Sequence, residues 1–95
     1  MFQNARYLTR GINEQIPPIT QLLMWQLIDQ RRAQTLDYLQ VFDLTEEDGK
    51  QIIEHSQEQQ PHNQRVIFFT DEPVTAHIYV IDDGNNSTML LAEEY

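Results

Sequence analysis

The chain has 95 residues, no cysteine and a formal net charge of −9. That length suits a single domain over residues 1–95, and the lack of cysteine excludes disulfide scaffolds, thiolate metal sites and cysteine nucleophiles together. Residues 1–36 carry a net charge of +2 and residues 37–95 one of −11, which argues against binding phosphate backbones or anionic membrane surfaces, since both are driven by Lys and Arg.

In chain order, Tyr7-Leu8-Thr9-Arg10 has strand-forming content, and Gly11 is where it should break. Residues 12–16 then read as a short link into the one convincing helix, residues 16–32, which holds the only tryptophan. Pro18 suits its first turn, where a missing N–H costs nothing, and Arg31 and Arg32 suit the negative end of its dipole. At 100° per residue Leu23, Met24, Leu27 and Ile28 form one apolar stripe, and Ile19, Leu22 and Trp25 form a second. A helix on a wet surface needs one stripe, so this one is expected to be gripped from two sides.

Residues 33–35 read as a loop and 36–44 as a central strand, with Tyr38, Gln40, Phe42 and Leu44 on its core-like face. Residues 46–59 admit two readings. Thr45 and Asp48 resemble a helix cap, yet such a helix would bury little beyond Ile52 and Ile53. A returning hairpin strand over 50–58, after a connection ending in Asp48-Gly49, gains a ladder partner and is the preferred reading. Residues 57–64 form a polar loop, 65–70 a short strand, and Asp71-Glu72-Pro73 a turn. His77, Tyr79 and Ile81 alternate with Ile78 and Val80 in the strongest strand, 75–82. Asp83-Gly84-Asn85-Asn86 then turns the chain into an apolar strand over 88–92. Short connections predict an antiparallel sheet of five or six short strands with one principal helix packed on it, an α+β fold.

Five segments carry a resemblance: Thr9-Arg10-Gly11-Ile12, Asp37-Tyr38-Leu39-Gln40-Val41-Phe42, His55-Ser56-Gln57-Glu58, Ile81-Asp82-Asp83-Gly84 and Thr88-Met89-Leu90-Leu91-Ala92-Glu93-Glu94-Tyr95. Over nearly its whole length the chain resembles a staphylococcal-type family of small Firmicutes proteins known as a domain of unknown function. The resemblance implies a Gram-positive source and a soluble intracellular protein. It brings no activity, cofactor or site residue with it.

The residues themselves offer little chemistry. Arg10, near a helix start, could hold an anion, but Pro17 and Pro18 lack the N–H groups that would help, and an ion pair with a local carboxylate is the plainer role. Asp82 and Asp83 crowd oxygen ligands beside Gly84, yet a hairpin turn uses the same residue types for backbone reasons, and the EF-hand spacing is missing. His55, His62 and His77 show no metal-ligand spacing and no positioned acid–base partner. The sequence therefore predicts no metal, cofactor or catalytic residue. The start Met-Phe-Gln-Asn-Ala-Arg-Tyr has neither the basic start nor the apolar run of a signal peptide, and no apolar run is long enough to span a bilayer, so a cytoplasmic location is expected.

Three functional classes remain. The favoured one is a non-catalytic protein-binding or regulatory module that docks a second copy or another protein through an apolar surface including Trp25, Met24, Ile28 and Leu22, or through the outer face of the C-terminal hairpin. A small enzyme in which His55 meets a carboxylate is the first alternative. An acidic mimic of nucleic acid, with carboxylates ranged along one face, is the second.

Overall fold

β1 (Ala5–Leu8), α1 (Arg10–Gln15), α2 (Pro18–Asp29), β2 (Leu39–Glu47), β3 (Lys50–Gln57), β4 (Asn63–Phe69), β5 (Ala76–Asp82) and β6 (Asn86–Leu91) follow one another along the chain. They are seen in a computed structural model that describes residues 1–31, 36–59 and 62–95. The loop expected over 33–35, the helix end at Arg32 and residues 60–61 of the polar loop lie outside the described residues. Among the described residues one six-stranded sheet has the order β1-β6-β5-β2-β3-β4. The fold is α+β, as expected, with a principal helix, a shorter one and a closing 3-10 turn at Ala92–Glu94.

Most of the sheet is antiparallel, and β2 lies inside it as its alternation predicts. Phe42 sits opposite His55 of β3 on one side and Ile78 of β5 on the other. Residues 46–59 are hairpin, not helix. The turn is tighter than the sequence suggested: Glu47 pairs directly with Lys50, and Asp48 and Gly49 take φ of 53° and 76°. Two consecutive positive φ values are the signature of a type I′ turn, whose twist matches that of the flanking strands, and Asp-Gly is a preferred pair for it. The departure from an all-antiparallel sheet is β1, which runs parallel to β6 along the edge. A parallel pair needs a long crossover, and here most of the chain separates the two strands in sequence.

Residues 12–16 are also not a mere link. Thr9 caps α1 through its side-chain oxygen, which accepts from the Ile12 N–H, and the Glu94 carboxylate holds the same turn from the far end of the chain. Glu94 accepts from the Thr9 hydroxyl (2.6 Å), the Gly11 N–H (3.1 Å) and the Leu91 N–H (2.8 Å). Gly11 thus does not break a strand; it lets Glu94 and Leu91 approach. A Cβ there would lie 2.7 Å from Leu91 Cδ1 and from the Glu94 carboxyl group. Gly11→Ala is therefore expected to lower stability by about 1–3 kcal/mol through overpacking, seen as a lower urea midpoint with an unchanged m-value. An unchanged midpoint would show that the C-terminal turn yields freely.

Helices α1 and α2 cover one face of the sheet. Met24, Leu27 and Ile28 of α2 join Phe2, Ile12 and Ile16 in one apolar cluster with Phe42, Leu44, Ile53, Ile78, Val80, Met89 and Leu91. Each such aliphatic side chain stabilises the fold by roughly 1.5–3 kcal/mol when fully buried. The expectation of a helix gripped from two sides is not met. Trp25 tucks in beneath Arg6 of β1, whose guanidinium lies 4.6 Å from the indole, but Ile19 and Leu22 of the second stripe stay half exposed.

Candidate functional site

His55 was the residue on which an enzyme reading depended, and the fold buries it. It lies on the helix side of β3 with no exposed surface, its ring stacked on Phe42 at 4.3 Å and edge-on to His62 at 4.9 Å. The Gln40 amide donates to the Asp37 carbonyl (2.9 Å) and the Gln57 side chain (2.8 Å), so Gln40 Oε1 is left to accept from His55 Nε2–H at 2.6 Å. That fixes the neutral tautomer. Burial, followed by the nearby His62 and Arg31, pushes the His55 pKa down to about 3. No carboxylate partners the ring among the described residues, so the geometry supplies a packed, uncharged histidine instead of an acid–base pair. His62 accepts from Arg31 Nη1 at its Nδ1 (2.5 Å), and its pKa too is lowered, by burial and then by that cation. The sequence did not reveal this cluster of buried Arg31 and His55 with half-buried His62. Its only signal was Gln40 and His55 falling on apolar strand faces.

Asp82 and Asp83 serve the backbone. Asp82 accepts from the Phe2 N–H (2.6 Å), the Gly84 N–H (2.8 Å) and the Asn4 amide (3.1 Å). Burial alone would raise its pKa, but these hydrogen bonds outweigh burial and lower it. Asp83 accepts from the Asn85 and Asn86 N–H groups, as a turn requires. Arg10 is exposed and pairs with Glu14 one turn along α1 at 3.1 Å. Among the described residues no three His, Asp or Glu side chains converge as a metal ion would need. His77 and Asp43 do form a cross-strand pair, but on an open surface and not in a cleft.

The expected helix interface divides. Met24 and Ile28 point into the core and have no surface to offer, because the stripe they share is the one the sheet takes. Trp25 and Leu22 line a shallow groove with Arg6, Leu8, Pro18 and Gln21. Arg6, bound to Asp29 and to the Phe2 carbonyl, occupies the face of the indole that a partner would need.

The larger open surface is the other face of the sheet. Strand alternation and the register put Tyr7 (β1), Leu90 (β6), His77, Tyr79 and Ile81 (β5), Leu39 and Val41 (β2), Ile52 (β3) and Ile67 and Phe69 (β4) there. No helix among the described residues covers it; the C-terminal Tyr95 reaches across instead. The rings of His77, Tyr79 and Tyr95 follow one another edge to face, at 5.2 and 5.6 Å. Tyr7, Ile67, Phe69 and Tyr95 remain more than half exposed. The carboxylates lie mainly at the two ends of the sheet: Glu46, Glu47 and Asp48 in the β2–β3 turn and Asp71 and Glu72 after β4, with Asp82 and Asp83 in the opposite turn. Asp43 and Glu54 lie within the face, in a cross-strand row between His77 and Arg65, so its carboxylates are paired and form no run of phosphate-like charges.

Residues 5–94 match the family described as staphylococcal protein of unknown function (DUF960). The chain belongs to this family. The crystal structure of a protein of unknown function from Enterococcus faecalis is similar over 97% of this chain and 91% of that one, with a TM-score of 0.84 at 26% identity. No curated protein matches. The family description assigns no reaction, so a function for this member has to be built from the open sheet face and its surroundings.

Proposed function

We propose that this chain is a non-catalytic, cytoplasmic protein-binding module whose working surface is the outer face of its sheet. The observation that carries the reading is the one-sided layering. A sheet with Val41, Tyr79, Ile67 and Phe69 on its outer side has its described helices only on the other, and Tyr7, Ile67, Phe69 and Tyr95 are left more than half exposed. Strands apolar on both faces belong to sheets covered on both faces, and large exposed apolar patches on monomers mark interaction sites. The tyrosines suit this role, since each gives a wide apolar ring with a polar tip and little rotamer entropy to lose. The buried neutral His55 and the turn-forming aspartates supply no competing chemistry.

Site-specific photo-crosslinking in cells tests the reading. A crosslinking residue at Tyr7, Tyr79 or Tyr95 is expected to capture a protein, and one at Gln26 on the opposite side is not. Capture from Gln26 alone, or from none of these positions, would overturn the proposal.

A further inference from the structure

We propose that a second copy of this chain adds to the free edge of β4, strand against antiparallel strand, in the register that sets Ile67 opposite Ile67 of the partner subunit. β4 is the outermost strand, paired with β3 from Asn63↔Ser56 to Phe69↔Lys50 without interruption, and no described element pairs its other side. Half of its backbone N–H and C=O groups therefore face outward as a template for another strand.

Native edges are usually guarded by proline, a bulge, short length or an outward charge. β4 has seven residues, no proline and a continuous ladder. Its one charged residue, Arg65, leans back over its own sheet toward Glu47 (3.9 Å) and Glu54 (3.8 Å). The opposite edge differs, because β1 has only four residues and its Arg6 is committed to Asp29 and Trp25.

The choice of occupant rests on self-complementarity. The chain carries −9 overall, which repels a second copy almost everywhere, but within β4 the only charge is positive. With Ile67 on the two-fold axis, Arg65 faces the partner's Phe69 and Val66 faces the partner's Phe68. Beyond them Gln64 meets the partner's Thr70 and Asn63 the partner's Asp71. Apolar residues meet apolar ones, polar residues meet polar ones, and the aliphatic stem of Arg65 lies beside an aromatic ring. Shifting the axis to Val66 would set Asn63 against Phe69 and Gln64 against Phe68; shifting it to Arg65 would set arginine against arginine. Phe69 is 80% exposed and Ile67 is 52% exposed, so both have surface to bury. The axis stands perpendicular to the sheet, which makes the outer faces of the two copies continuous. The inference stands on the β4 edge and does not depend on the docking face above it.

Because the chain lacks cysteine, single-cysteine variants report the register directly. Under mild oxidation Ile67→Cys is expected to give a covalent dimer, and Phe68→Cys and Phe69→Cys much less of one, since opposed residues bring their Cβ atoms to within disulfide reach only at the axis. In sedimentation velocity across a concentration series the unmodified chain is expected to dimerise, and Ile67→Lys to weaken the dimer by about tenfold or more through like charges placed opposite one another. Thermal melting of Ile67→Lys checks that the fold survives, and Ile67→Cys serves as the milder change if it does not. A chain monomeric at every concentration, a dimer indifferent to Ile67→Lys, or faster crosslinking at Phe68→Cys than at Ile67→Cys would each overturn the proposal. Photo-crosslinking from Tyr79 in the Ile67→Lys background separates this result from the fate of the docking face.

Discussion

Phe42→Ala is expected to destabilise the chain by about 3–5 kcal/mol. Phe42 has no exposed surface, and its strand is held on both sides, opposite His55 and Ile78. Its ring is stacked on that of His55 with only 11° between their planes. Removing it leaves a cavity that neither flanking strand can close without breaking a ladder, and incomplete collapse is what makes such losses large. A chain of this size has a total stability of roughly 5–14 kcal/mol, so the variant should be partly unfolded or close to it at 37 °C. Phe69→Ala is the matched control: the same truncation at an exposed edge position should change stability by less than about 1 kcal/mol. Urea titration of both proteins is the measurement. A loss at Phe42 no larger than that at Phe69 would mean that this core is not packed as described.

Phe42 also illustrates what could be read ahead of the structure. Tyr38, Gln40, Phe42 and Leu44 alternate in sequence, and Gln40, Phe42 and Leu44 do form the buried face of β2. Asp48-Gly49 and Asp83-Gly84 mark turns because their backbone demands are local. The hairpins and the strongest strand follow from the same short-range logic. What escaped depends on residues distant in sequence. All four β1 residues are exposed, so no period marks them; β1 is defined by its pairing with residues 86–89. α1 has six residues and depends on a carboxylate more than eighty positions away. Phe2 becomes a fully buried core residue only because its N–H is held by Asp82.

The two stripes of α2 show the limit from the other side. Helical periodicity placed Met24 and Ile28 together, but could not say that the sheet would take their stripe and leave Ile19 and Leu22 outside. The excess of apolar residues in the sequence is divided between the helix and the hairpin. In the fold the larger surplus lies on the outer side of the strands, with Tyr7 at the β1 edge and Ile67 and Phe69 at the opposite, β4 edge. That surface was legible as an amount and not as a place. The sign of each strand face is set by where the helix lands.

Acid is expected to weaken the fold earlier than its carboxylates alone would dictate, and His55 is the reason. In the unfolded chain its imidazole binds a proton near pH 6.5; in the folded chain burial holds the pKa at about 3. Between those values the unfolded state carries a proton that the native state does not, so stability rises with pH and falls as pH is lowered. The contribution is fully present above about pH 6.5 and decays down to about pH 3, amounting to roughly 4–5 kcal/mol over that span at 1.36 kcal/mol per unit. The groups facing the ring are Arg31 and His62, both of which oppose a second positive charge, and Gln40, which accepts from the proton His55 already has. Asp82, Asp83 and Glu94 have lowered pKa values and lose their own contributions only at lower pH, within the carboxylate range. The window from pH 6.5 to 5 therefore isolates the histidines, and a loss of about 2 kcal/mol is expected across it. His55→Leu, which keeps an apolar filler against Phe42, should flatten most of that slope even though it lowers stability at pH 7 by leaving Gln40 Oε1 without its donor. In NMR titrations of the folded protein the His55 ring resonances should stay constant from pH 7 to 5. A His55 resonance titrating with a midpoint near 6.5 in the native protein would show that the ring is not buried and neutral as described.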